Sequence, residues 1–237
     1  MTLTELAVVM LILGIIVAAT ATLSIGFTRT NAQNTSRQTQ IDDARQGVER
    51  ISETLRTAVK PSQLLSTCTG CGDVDAFMQG ADLSVQFYAN IDNPGNSVGP
   101  SRTTYTVATS GADAGVLVEK LQTPESAQPG NSGYQYCDAE ATNASSECKG
   151  HLKVRRIAAG VQTNAPIFKY YDASGARLDT SSGGLVEGDL EKVLSIEVVL
   201  TVQSTDVTKP DPTTYIQRIT LPNAEAVLRQ DQEDNQS

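Results

Sequence analysis

Few residues in this chain have side chains whose type and spacing suit chemistry. Cys68, Cys71, Cys137 and Cys148 are the four cysteines among 237 residues. Outside the cytoplasm an even count reads as disulfides, with three possible connectivities. Cys137 and Cys148 bracket the polar loop DAEATNASSE, which has too little apolar surface to hold itself, so they are paired and Cys68 is left with Cys71. Crossed pairing of an early with a late cysteine stays open. The Cys68-Thr69-Gly70-Cys71 spacing also occurs in redox enzymes and zinc sites. A redox motif opens a helix in βαβ surroundings, which are lacking here, and a zinc knuckle needs a second close pair that Cys137 and Cys148 do not supply.

The remaining chemistry is thin. The single His151, with Lys153, Arg155 and Arg156 after it, reads as the start of a solvated strand rather than a general base. Neither a Gly-x-Ser-x-Gly elbow nor a second histidine offers a triad, and no phosphate-cradling Gly-x-x-x-x-Gly-Lys-Ser/Thr loop occurs. Asp172, Asp179, Glu187 and Asp189 lie among glycines and serines where calcium is one option; without the alternating spacing of a calcium loop they read as solvated turns. Asn34 and Asn143 fall in Asn-x-Ser sequons, a pattern frequent by chance. No catalytic residue, metal or cofactor is expected.

The costly residue is Glu5. It stands at the edge of an apolar run in which Leu6 to Ala19 carry no polar side chain, and through Phe27 only Thr20, Thr22 and Ser24 are polar. Those hydroxyls can bond back to a helix's own carbonyls. Leu6 to Phe27 is 22 residues, which as a helix matches the roughly 30 Å hydrocarbon core of a bilayer. An acid on such a segment costs on the order of a few kcal/mol unless partnered, so it calls for a function. A secretory signal peptide would place basic residues before the run, and an ordinary anchor would have cations on its cytoplasmic flank, whereas the first here is Arg29 on the far side. A core helix of a soluble domain is rarely apolar on every face for this long.

Met1-Thr2-Leu3-Thr4-Glu5-Leu6, followed by an apolar run with Gly14, resembles the mature N-terminus of type IV pilins and the pseudopilins of type II secretion. Thr4 replaces the more usual Ile or Val. The resemblance implies a prepilin peptidase that removes a short basic leader, so that the sequence as it stands is the processed form, with a methylated amine on Met1. It implies a register salt bridge from Glu5 to the Met1 amine of a neighbouring copy, with Leu6 and Gly14 in the assembling helix. It also implies an assembly platform with its own ATPase, a helical homopolymer of identical subunits, and surface roles such as cell adhesion. The chain would be a single-pass plasma membrane protein before assembly and part of a cell-surface fimbrium after it. Two alternatives accompany this reading: a minor pilin or type II secretion pseudopilin that primes or caps a filament, and a membrane-anchored surface binding module.

The elements that position these residues are read from periodicity. The apolar helix occupies 1–28. A polar collar and amphipathic helix fill 29–60, where Ile41, Ala44, Val48, Ile51, Leu55 and Ala58 form one apolar stripe, and Pro61 is expected to stop the helix. Many pilins have proline where Thr22 stands; without it, looser winding is expected between Gly14 and Gly26, a stretch that includes Thr20 and Thr22. Residues 61–225 read as a β-rich head, with strands expected at 83–88, 103–109, 115–121, 151–158, 166–171, 194–203 and 214–221 between turn signals. The runs Tyr170 to Gly175, Leu194 to Val202 and Tyr215 to Leu221 resemble the final hairpins of the larger minor pilins. An acidic, disordered tail is expected over 226–237. The fold class is therefore α+β, a long helix laid against an antiparallel meander, the ladle shape of pilins.

Charge bears on partners. Residues 1–60 carry six Lys/Arg and five Asp/Glu, a net of +1, so with −9 overall the remainder carries −10. Broad nucleic-acid binding by the head is disfavoured, because affinity for phosphate needs clustered cations. The compact basic stretch Lys149 to Arg156 reads as a local counterweight within an acidic coat.

Overall fold

The structure, a computed structural model, describes residues 2–65, 68–72, 74–204 and 211–223. Met1 and the tail expected from residue 226 lie outside the described residues. Helix α1 runs unbroken from Leu3 to Leu55, 53 residues and about 80 Å at 1.5 Å per residue. Short helix α2 (Pro61–Leu64) comes after it, then strands β1 (Phe77–Gly80), β2 (Ser84–Ala89), β3 (Ser101–Val107) and β4 (Leu117–Gln122). Next are α3 (Ser146–Gly150), β5 (Leu152–Ala158), β6 (Phe168–Tyr171), α4 (Glu187–Leu190), β7 (Ser195–Val202) and β8 (Thr213–Thr220). A long helix packed against antiparallel sheets makes the chain α+β.

The expected single meander is two sheets. One has the order β1-β2-β3-β4-β5 and the other β6-β7-β8, with every pair antiparallel and consecutive. The chain crosses between them where residues 160–162 pair with the end of β7: Gln162 N donates to Thr201 O and Gln203 N to Gly160 O, both at 2.9 Å. Gly160 is required at this crossing. Its φ is +71°, and a Cβ there would stand 2.2 Å from the Gln203 carbonyl oxygen, a position only glycine tolerates.

α1 ends earlier than Pro61 because the sheet claims its next residues. Val59 N donates to Tyr88 O at 3.0 Å and Asn90 N to Thr57 O at 2.8 Å, with Ala58 bridged to Ala89. Three residues thus extend the β2 edge rather than the helix, and Pro61 instead opens α2, a position where its missing N–H costs nothing. The core joins Ala44, Val48, Ile51 and Leu55 of α1 to Val85, Phe87 and Tyr105 of the larger sheet and to Ile196, Val198, Leu200 and Ile219 of the smaller. Each large aliphatic buried there contributes roughly 1.5–3 kcal/mol.

Candidate functional site

The N-terminal end of α1 is closed by its own side chains. Thr2 is the cap residue, its Oγ1 accepting from Glu5 N at 3.4 Å while the Thr2 N donates to Glu5 Oε2 at 2.8 Å. This reciprocal pair satisfies two of the donors that every helix start leaves open. Sequence reasoning overlooked this role for Glu5, although Thr-x-x-Glu ahead of an apolar run is its signature. A carboxylate accepts more than one hydrogen bond, so the local bond at Oε2 does not occupy Oε1. Met1, the expected source of the partner amine, lies outside the described residues.

From Thr2 to Thr35 every residue is exposed. Leu6, Leu11, Leu13, Ile15 and Ile16 are all more than half exposed, and Phe27 is 76% exposed. Polar groups in this span are turned inward onto the helix: Thr20 Oγ1 donates to the Ile16 or Val17 carbonyl at 3.0 Å, and Thr22 Oγ1 to Ala19 O at 2.8 Å. Gly14 and Gly26, which bracket the stretch where looser winding is expected, both lie inside continuous helix. The helix is long and apolar enough to cross a membrane, and none of its most apolar stretch is buried against the rest of the chain.

The head grips α1 only from Ser36 onward. Ser36, Gln40, Ala44, Val48, Ile51 and Leu55 form the buried line, at steps of three and four. Ile41, expected in this stripe, is 39% exposed; the stripe runs back from Ala44 by four residues to Gln40 rather than by three to Ile41. Gly47 allows the closest approach, since a Cβ there would meet Leu200 Cδ2 at 3.0 Å. Gln40 is 2% exposed, and both its Nε2 and Oε1 are buried with no hydrogen-bond partner among the described residues. It stands beside a cleft of about 710 Å³ between α1 and the rim of the head, whose wall also includes Asp43 and Arg156.

One polar cluster clamps the helix to the larger sheet. Arg50 on α1 donates from Nε to Glu119 Oε1 at 2.8 Å and from its Nη2 to Oε2 at 3.2 Å. Glu119, on β4, is 3% exposed and also accepts from the Tyr105 hydroxyl, which lies 3.0 Å from Thr54 Oγ1. Arg155 reaches the same carboxylate from β5 at 3.7 Å. Burial, then the Glu119 charge, push the Tyr105 phenol far above its ordinary value. Burial works against the Arg50 cation, but the hydrogen bonds and charge of Glu119 outweigh it and raise its pKa. A two-pronged Arg–carboxylate pair fixes direction as well as distance, so the cluster sets the angle at which α1 leaves the head.

Other candidates resolve into structural parts. Disulfides join Cys68 to Cys71 and Cys137 to Cys148. The second closes a loop tied to β4, where Gln122 Nε2 donates to Cys137 O at 2.6 Å. His151 caps the C-terminal end of α3, its Nδ1 at 3.0 Å from Thr123 Oγ1. Asp172 accepts from Ser174 Oγ at 2.7 Å and from the Ser174 and Ala176 amides at 2.9 Å; Asp179 accepts from Ser181 N and Oγ at 2.9 and 2.8 Å. The Ser174 hydroxyl, with backbone amides, holds the Asp172 carboxyl below its ordinary value, and the Ser181 amide and hydroxyl do the same for Asp179. Asp189 pairs with Lys192 at 2.8 Å. Among the described residues no three His, Cys, Asp or Glu side chains are grouped to hold a metal ion. Lys153 and Arg156 of the basic strand β5 pair with Asp92 at 3.2 Å and Asp113 at 3.3 Å.

Comparison with known proteins returned no match to a family model, a curated protein or a solved structure.

Proposed function

We propose that the chain is a structural subunit of an extracellular filament of the type IV pilus kind, held in the membrane by its N-terminal helix before assembly. One observation carries this reading: a helix bare and apolar on all faces continues without interruption into a helix that a folded head grips. Lipid covers such a segment in a monomer. Outside lipid, other copies must cover it, and a head-to-tail contact that does not close generates a fibre. Glu5 disfavours the wrong depth in lipid and rewards the axial position at which a neighbour's Met1 amine meets it. The chain needs no catalytic group of its own for this; identical copies, the membrane, a processing peptidase and an external motor are its partners.

The test separates the charge of Glu5 from its capping role. Glu5→Gln keeps a side chain able to reach back to the Thr2 amide and removes the charge; Glu5→Ala removes both. Both variants are expected to reach the membrane fraction at wild-type levels and to yield at least about tenfold fewer sheared fibres, the loss that corresponds to a charge pair worth about 1.4 kcal/mol or more in a dry interface. Wild-type fibre yield from Glu5→Gln would overturn the register role. The long-looped head supports a second position for the same chain, as a minor pilin or pseudopilin that primes or caps a filament. Abundance decides: the major subunit dominates sheared fibres by mass, and a cap is present at a trace.

A further inference from the structure

The sequons Asn34-Thr35-Ser36 and Asn143-Ala144-Ser145 have no part in the function proposed above. Such a triplet is a common accident of sequence and gains meaning in a surface loop of an exported chain. Two disulfides suit an oxidising compartment. The fold then separates the two sequons. Asn34 and Ser36 both lie inside α1, where side chains two residues apart do not share a side, and Ser36 is 8% exposed at the point where the head closes on the helix. An enzyme that must hold both the asparagine and the hydroxyl would have to unwind α1 there.

Asn143 is presented in the opposite manner. It stands in a turn of the loop that the Cys137–Cys148 disulfide closes. The near arm of that loop is fixed to β4: Gln122 Nε2 donates to Cys137 O, and Lys120 Nζ to both carboxylate oxygens of Glu140 at 2.6 and 2.8 Å. The far arm is fixed by α3, whose cap residue Ser145 accepts from Cys148 N at 3.1 Å. Between the arms the Ala144 amide donates to Ala141 O at 3.0 Å. Asn143 and Ser145 are both exposed, and the Asn143 carboxamide makes no hydrogen bond among the described residues. Ser145 has extended backbone, φ −63° and ψ 158°, so the helical geometry that parts residues 34 and 36 is absent. Its hydroxyl keeps a proton to donate. The loop joins β4 and β5 at Gln122 and Leu152, the end of the sheet where Ala89 bridges Ala58 just past α1. A substituent on Asn143 is therefore clear of whatever covers residues 2–28.

We propose that Asn143 is an N-glycosylation site, with Ser145 as the residue that makes it one and Asn34 unused. In the transfer, Asn143 Nδ2 forms a bond to the anomeric carbon of an oligosaccharide carried on a lipid pyrophosphate. The bond from that carbon to the pyrophosphate oxygen breaks, the lipid pyrophosphate leaves with the electron pair, and one amide proton passes to a base of the transferase. The exporting cell supplies the donor and the transferase. The sugar, bulky and solubilising, covers a loop in which Ala139 alone of residues 138–147 is buried. The site does not depend on the filament reading.

Mass spectrometry of the chain isolated from the cells that make it, with peptides fragmented by electron transfer, tests the site. The peptide spanning 138–147 is expected to carry added mass in monosaccharide steps, localised to Asn143, with Asn34 bare. Asn143→Gln and Ser145→Ala are each expected to abolish the added mass. Ser145→Thr keeps both the hydroxyl and a residue suited to the α3 cap and is expected to retain it. A bare Asn143 in the unaltered chain, sugar on Asn34 in its place, or added mass that survives Ser145→Ala would each overturn the proposal.

Discussion

Gln40 sits one turn beyond Ser36, where the head first closes on α1, with its carboxamide buried and unpartnered among the described residues. Leaving such a group dry costs about 1–3 kcal/mol, so the grip is weakest at its lower end. Gln40→Leu keeps a similar reach without the polar atoms and is expected to raise the unfolding temperature by a few degrees, at about 2–4 °C per kcal/mol for a domain of this size. Thermal unfolding in detergent checks it, and a lowered midpoint would show that the carboxamide has a hidden partner. The same position shows what residue types conceal. Apolar spacing put Ile41 in the stripe, because periodicity counts only apolar residues and a buried glutamine carries no such mark. Glu5 was legible as an expensive acid in an apolar run; its bond to Thr2 was legible too, in the Thr-x-x-Glu spacing, a mark of capping that is independent of the cost of the charge.

Among elements, the junction of α1 with β4 carries a two-pronged ion pair on a buried carboxylate. Removing Arg50 leaves the buried Glu119 carboxylate with only the longer Arg155 contact and the Tyr105 hydroxyl, whereas Glu119→Gln leaves a partly exposed cation that water can reach. Arg50→Ala is therefore expected to cost about 3 kcal/mol and Glu119→Gln about half that. Chemical denaturation would measure both, and equal costs would mean that the buried charge is relieved elsewhere. Strands β2 to β8 lie where alternation and turn residues placed them. β1, Phe77–Gly80, is too short and too irregular for period two, and its burial, with only the end residues covered, comes from pairing with β2 rather than from its own pattern. The end of α1 and the division into two sheets were not legible for a related reason. Both are decided by backbone bonds between residues far apart in sequence, Val59 with Tyr88 and Gly160 with Gln203, and no local propensity records them. The Tyr105–Glu119–Arg50 cluster likewise assembles residues up to 69 positions apart.

At the scale of the whole molecule, an acidic head and a bare apolar helix pull toward different surroundings. As a filament subunit the chain needs its own residues 1–28 as a mutual packing surface; as an anchored binding module it needs only a span. Replacing 1–28 with an unrelated apolar span of equal length is expected to leave the head folded and membrane-held while abolishing fibres, read by circular dichroism, fractionation and electron microscopy. Fibres of normal yield would remove the packing role from that segment. The grip between Ser36 and Leu55 has a mechanical consequence. The helix from Gly47 to Thr2 is a lever arm about 70 Å long, so a tilt of about 5° where Arg50 and Gly47 meet the sheets sweeps the Thr2 end through about 6 Å, slightly more than the pitch of one helical turn. Accuracy of placement at the tip is therefore set by stiffness at a fulcrum far along the chain.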